Sequence, residues 1–246
     1  MKKIAVLQSN YIPWKGYFDI IHDVDEFIFY DEVQFTKNDW RNRNQISTPT
    51  GIQWLTIPTT GSITQSIDEV TTAGSQWQRK HYTTLVTYYS KAPYFKNYKA
   101  FLEDFYLNHT WENLSELNRY LIISISKNFL GITTKFSDSR SYPSNGSGHW
   151  KLLSLLKSAG AEYYISGPAA KSYIHAEDYE KAGIELHWKD YSHYPEYPQL
   201  HKPFCHNVSI LDLLFNTGSD APYFIWGHPV ANNSKQSNTI GSAFFK

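Results

Sequence analysis

The side chains best suited to chemistry lie near the start of the chain. Trp40-Arg41-Asn42-Arg43-Asn44 sets two guanidiniums two residues apart among aromatic and amide groups. On extended backbone this spacing puts Arg41 and Arg43 on one face and Asn42 and Asn44 on the other. A guanidinium stays charged and grips phosphate or carboxylate through two parallel hydrogen bonds. The cluster is therefore expected to anchor an anion, against the plainer reading of a solvated strand edge. Just upstream, the apolar run Ile4–Leu7 enters Gln8-Ser9-Asn10-Tyr11-Ile12-Pro13-Trp14-Lys15-Gly16-Tyr17-Phe18. A strand running straight into a Pro/Gly turn and a helix start is how many nucleotide-handling α/β domains begin, and amide N–H groups at such a helix start favour anions. Gln8, Tyr11 and Trp14 join the cluster as expected binding residues.

Further candidates follow predicted strands and helices. His22, in the first helix, is read as a general base facing the strand ends, since imidazole titrates near neutrality; a partly buried structural histidine is the alternative. Asp31 closes the strand Phe27–Tyr30, where a carboxylate could bind a sugar hydroxyl or deprotonate an amine; a turn cap is the plainer role. Asp138 carries the same reading at a later strand. Lys80 and His81, after Arg79, suit anion binding across a cleft or a solvated helix end, and His81 joins His22 and Asp31 as an expected catalytic residue. Ser166-Gly167-Pro168 is a turn of small residues that lets backbone approach a ligand, and Lys171 stands three residues beyond. His187, His193, His201 and His206 lack a metal-binding spacing, so no metal site is expected. Cys205, the sole cysteine, excludes an intramolecular disulfide and reads more readily as an inert buried thiol than as a nucleophile.

The elements that must position these groups form an α/β pattern. Strands at 4–7 and 27–30 bracket a short helix. Gln45–Ser47 and Gln53–Ile57 form a hairpin around Thr48-Pro49-Thr50-Gly51. Thr59 to Ser75, rich in Thr, Ser and Gly, reads as a mobile loop. Helices are expected at about 77–90, 94–107 and 111–129, the last with Leu114, Leu117, Leu121 and Ile125 at helical spacing. Strands near 134–136, 162–165 and 184–188 then alternate with helices at 150–159 and 176–182. A last helix at 211–215 leads to a polar tail from about 219. The expected fold is one doubly wound, mostly parallel, Rossmann-like α/β domain with a helical insertion at about 75–130.

Composition sets outer limits. Lys+Arg and Asp+Glu are both 23, so the chain lacks the basic surplus of most nucleic-acid binders. Aromatics make up 17% of residues, which fits either an aromatic core or a cleft lined with flat amphipathic side chains. No signal-peptide pattern opens the chain and no apolar run is long enough to span a bilayer, so a cytoplasmic location is expected.

Taken together, these segments resemble the WbqC-like protein family. The resemblance rests on Gln8, Tyr11, Pro13, Trp14, Gly16, Tyr17 and Phe18, the 40–44 block and Gln53-Trp54-Leu55-Thr56-Ile57-Pro58. It continues through Arg79-Lys80-His81, Lys91-Ala92-Pro93-Tyr94-Phe95, Ser166–Lys171, Tyr194-Pro195-Glu196-Tyr197 and Ser209–Asn216, covering about residues 3–218. It implies a role in bacterial O-antigen (lipopolysaccharide) and surface-polysaccharide biosynthesis, with no catalytic residues to carry over. A second resemblance, to nucleotidyltransferases with an HxGH signature, concerns Pro13-Trp14-Lys15-Gly16-Tyr17. The spacing is one residue shorter and aromatics stand in both histidine places, which argues against adenylyl transfer.

The expected function is that of a transferase moving an acyl or aminoacyl group onto the amine of a sugar nucleotide. Its expected partners are a sugar nucleotide or another anionic small molecule. An activated acyl or aminoacyl donor would be the co-substrate, tRNA being the one nucleic acid considered, as an aminoacyl carrier. An ATP-dependent ligase or nucleotidyltransferase-like enzyme and a non-catalytic subunit of a polysaccharide assembly complex are the alternatives. The site is expected at the carboxyl ends of the strands closing with Leu7, Tyr30 and Ile165, bordered by the helical insertion and covered by the 59–75 loop.

Overall fold

The computed structural model describes residues 1–62 and 64–227. Its centre is a parallel sheet of β1 (Lys3–Leu7), β2 (Glu26–Phe29), β5 (Lys135–Asp138), β6 (Tyr163–Ser166) and β7 (Glu185–Trp188), in the order β5-β2-β1-β6-β7. The chain adds strands outward from β1 to β2 to β5, then returns to the other side of β1 for β6 and β7. This is the doubly wound, Rossmann-like arrangement, with its switch point between β1 and β6.

Strand alternation explains the layers. Ala5, Phe27, Phe29 and Ile165 point to one face, while Ile4, Val6, Ile28 and Tyr164 point to the other. The first face packs against α1 (Lys15–His22), α2 (Gln76–Tyr89), α3 (Phe95–Glu103), α4 (Leu114–Asn128) and α7 (Ile210–Thr217). The second is covered by α5 (Gly148–Ser158) and α6 (Ala176–Lys181). Strands buried on both faces read as continuous apolar runs, which is why β1 and β2 stand out in the sequence. Helices α2 to α4 lie between β2 and β5 in the chain and share the core of the first face. In α4, Leu114, Leu117, Leu121 and Ile125 are all buried, as their spacing predicts.

Strands β3 (Arg43–Thr48) and β4 (Gly51–Thr56) pair antiparallel as a separate hairpin, turning at Pro49 and Thr50. The 59–75 segment departs from the expected free loop. Ile67 and Val70 are fully buried, and bridges tie Thr59 to Thr72, Gln34 to Ser66 and Thr71 to Asn113. Beyond α7, the chain forms α8 (Tyr223–Trp226), and the Phe224 carbonyl accepts a 3.3 Å hydrogen bond from the Lys15 ammonium near the start of α1. The rest of the polar tail, from 228 on, lies outside the described residues.

Candidate functional site

The switch point places the crevice. Parallel strands β1 and β6 lie side by side, so Gln8–Asn10 and Ser166-Gly167 leave the sheet at the same edge. In open α/β sheets this edge, where the strand order reverses, is where ligands bind. Arg41 reaches it from the turn before β3. Its guanidinium donates to the side-chain oxygens of Gln8 and, at 3.4 Å, Asn10, and Asp39 stands 3.4 Å away. The Gln8 carbonyl accepts a 2.8 Å hydrogen bond from the Tyr17 hydroxyl. Burial, then the charge of Asp31, pushes that phenol well above its ordinary value, against the pull of Arg41 and Arg119. Arg41 also opposes the upward shift that burial imposes on Tyr173, which follows the turn after β6.

The floor beside it is an ionic network. Asp31 is fully buried and accepts from the Ser9 amide (2.7 Å), the Ser115 hydroxyl (2.5 Å) and Arg119 Nε (2.8 Å). Arg119 bridges on to Asp138, which also caps the following turn through the Arg140 amide at 2.8 Å. The carboxyl ends of β2 and β5 are therefore held together from α4. Because Asp31 holds the Ser9 amide, the same network fixes the loop that carries Gln8 and Asn10.

Of the residues expected to bind, Gln8 and Arg41 meet beside the end of β1, and Ser166 and Gly167 lie at the end of the neighbouring strand β6. Ser166 is buried, with its hydroxyl 3.3 Å from that of Tyr164. A side chain at Gly167 would point toward the Tyr191 hydroxyl. Trp14 packs edge-on against Tyr191, with ring centroids 5.0 Å apart, and lies so close over Gly16 that no side chain fits there. The helix start is therefore roofed by aromatic rings. Lys171 is exposed, its ammonium 5.6 Å from the Trp188 ring on the β7 side. Asp138 belongs to the adjoining network.

The three residues expected to do acid–base chemistry are placed otherwise. His22 is exposed at the far end of α1, which runs back from the carboxyl edge toward the start of β2; its ring stacks on Trp226 at 4.1 Å. It cannot face the strand ends. His81 is buried, with Nδ1 2.9 Å from the Tyr11 hydroxyl. Burial lowers its pKa to about 4, despite a backbone hydrogen bond at Thr56 that works the other way, so it is a neutral core histidine. Asp31 has no exposed surface and every oxygen occupied, which makes it a positioning group.

Other expected binders also serve the fold. Tyr11 is fully buried, bonded to His81 and to the Tyr106 hydroxyl. Asn44 donates to the Tyr11 and Ile12 carbonyls at 3.0 and 2.9 Å, clamping a turn in which Ile12 takes a φ of 36°. Lys80 is exposed on α2. Arg43 parts company with Arg41: the extended segment begins only at Arg43, whose guanidinium lies 4.2 Å from the Trp54 ring centroid. Trp40 joins it on the outer face, 5.4 Å from Trp54. The 59–75 segment flanks the β2 side through the Asp68 amide on the Asp31 carbonyl (3.0 Å). Beside it a depression of about 540 Å³ is lined by Glu32 and Glu69 with neutral polar residues, a poor setting for an anion.

Arg119, Ser115 and Asn118 were not anticipated. They share one face of α4, where Asn118 donates to the Arg41 carbonyl at 2.8 Å. Their i, i+3, i+4 spacing beside the leucine stripe was the available signal.

The fold is that of a Rossmann-like α/β protein, with Arg41 set against the Gln8–Asn10 loop at the end of β1. The chain belongs to the WbqC-like protein family, whose sequence model matches residues 8–223. It is 44% identical over 227 residues to the Mycobacterium tuberculosis protein named Uncharacterized protein Rv1507c, covering 92% of this chain and 98% of that one. No solved structure matches. Membership is consistent with a role related to polysaccharide biosynthesis. No helix among the described residues is long and apolar enough to cross a membrane.

Proposed function

We propose that the switch-point crevice binds a sugar nucleotide and that the protein transfers an acyl or aminoacyl group to the amine of its sugar. The observation that carries this reading is the contact of Arg41 with Gln8 and Asn10, in the loop that leaves β1 beside the β1–β6 switch point. A guanidinium there supplies the bidentate contact that a pyrophosphate takes. Gln8 turns its oxygen to Arg41, which leaves its NH2 group as a donor for the oxyanion that develops during acyl transfer. Trp14 and Tyr191 offer ring surface to the base. In the reaction the amine nitrogen attacks the acyl carbon and the new C–N bond forms. The bond to the donor's leaving group breaks, and that group carries away the amine's proton.

Calorimetric titration with UDP- and dTDP-linked amino sugars tests the binding, and mass analysis after incubation with acyl donors tests the transfer. Binding that weakens at least tenfold in Arg41→Ala is the expected result. Absence of binding to every amino-sugar nucleotide, with no mass change, refutes the proposal.

A further inference from the structure

The separation of Arg43 from Arg41 leaves a second recognition surface. The outer face of the hairpin presents Arg43, Gln45, Trp54 and Ile52, with Gln45 directly opposite Trp54 in the register. Trp40 (42% exposed) and Trp54 (38% exposed) form an open pair of rings tilted by 38°. The Arg43 guanidinium lies over Trp54 and makes no ion pair with a carboxylate among the described residues. Trp40, Trp54 and Ile52 set exposed apolar surface beside a guanidinium, the combination that a ligand with both a ring face and an anionic group would cover.

From this surface we infer a subsite for an acidic oligosaccharide. Aromatic faces pack against the C–H face of a pyranose ring, while Gln45 and the guanidinium offer donors to its hydroxyls and to a carboxylate or phosphate on it. The platform is continuous with the crevice: Trp40 precedes Arg41, and its carbonyl accepts the Tyr11 amide at 2.9 Å. A chain of sugars lying on the hairpin therefore leads to the mouth that Arg41 guards. The hairpin face carries the single guanidinium of Arg43, which matches one carboxylate or phosphate on a saccharide, whereas a nucleic acid or an anionic membrane selects a surface with several cations. The inference rests on the proposed function only in placing this surface beside the site that would hold the sugar nucleotide.

The test is calorimetric titration of the full chain with an oligogalacturonate and a hyaluronate tetramer, with maltotriose as the neutral control. Acidic oligosaccharides should bind and the neutral one should not. Trp54→Ala and Arg43→Gln should each weaken binding at least tenfold, with far-UV circular dichroism unchanged. Arg41→Ala should leave this binding intact while losing the sugar nucleotide, so the two readings fail separately. No binding of either acidic probe overturns the inference, as does equal binding of maltotriose or undiminished binding in Arg43→Gln. Capture of single-stranded oligonucleotide or anionic vesicles that these variants abolish, in place of saccharide, overturns it too.

Discussion

Replacing Arg119 with methionine removes the one cation that contacts Asp31, while the aliphatic stem and the helix are kept. Asp31 then remains fully buried with only the Ser9 amide and the Ser115 hydroxyl as partners. Removing one member of a buried ion pair costs about 3–5 kcal/mol, because the survivor is left buried without its counter-charge. The two retained hydrogen bonds put this site at the lower end, about 3 kcal/mol. The second contact, to Asp138, adds at most about 1 kcal/mol because that carboxylate is 35% exposed. With a urea m-value of about 3 kcal/mol/M, the unfolding midpoint followed by tryptophan fluorescence should fall by about 1 M. In Asp31→Asn/Arg119→Met, where no charge is left buried, at least about 1.5 kcal/mol should return. A single-variant shift below about 0.3 M, or a double variant no more stable than the single one, refutes the reasoning that charge compensation holds this floor.

Gly16→Ala drives a methyl group into the Trp14 indole, whose atoms lie 2.4–2.8 Å from that position. The ring is wedged against Tyr191 and Tyr194, so a loss of about 1–3 kcal/mol is expected in thermal or urea unfolding; an unchanged midpoint contradicts the packing described. His81 supplies a pH-dependent prediction. Its folded pKa of about 4 lies below the ordinary 6.5, so its contribution is complete above about 6.5 and is lost as pH falls through 4. That loss amounts to roughly 3 kcal/mol. His81→Gln, which keeps a hydrogen-bonding group beside Tyr11, should flatten the stability profile over this window, and parallel profiles for the two proteins count against it.

What the sequence disclosed follows from where each signal is stored. Strands β1 and β2, buried on both faces, announce themselves as apolar runs, and the hairpin announces itself through Pro49 and Gly51. That three polar segments leave the sheet at one edge could be reasoned from each following a parallel strand. Side-chain direction within those segments could not. Tyr11 follows β1 as closely as Gln8 does, yet the turn at Ile12, held by Asn44, sends its ring into the core to meet His81, seventy positions away in the chain. That pairing is purely tertiary and leaves no periodicity. In the sequence Arg41 and Arg43 are equivalent, because strand alternation from Trp40 onward puts both on one face. The turn at Asp39 delays the strand to Arg43, which divides the two guanidiniums between crevice and hairpin. Arg119 was hidden for the opposite reason, since one charged residue on an otherwise regular helix looks solvated until the sheet edge beside it is known.

The most direct test of the crevice assignment is a crystal structure of the protein soaked with a dTDP- or UDP-linked amino sugar. The pyrophosphate is expected on the Arg41 guanidinium, beside Gln8, with the sugar reaching toward Ser166 and Gly167. A nucleotide seated instead in the acidic depression between Glu32 and Glu69, or against His22 on the far side of α1, would contradict it.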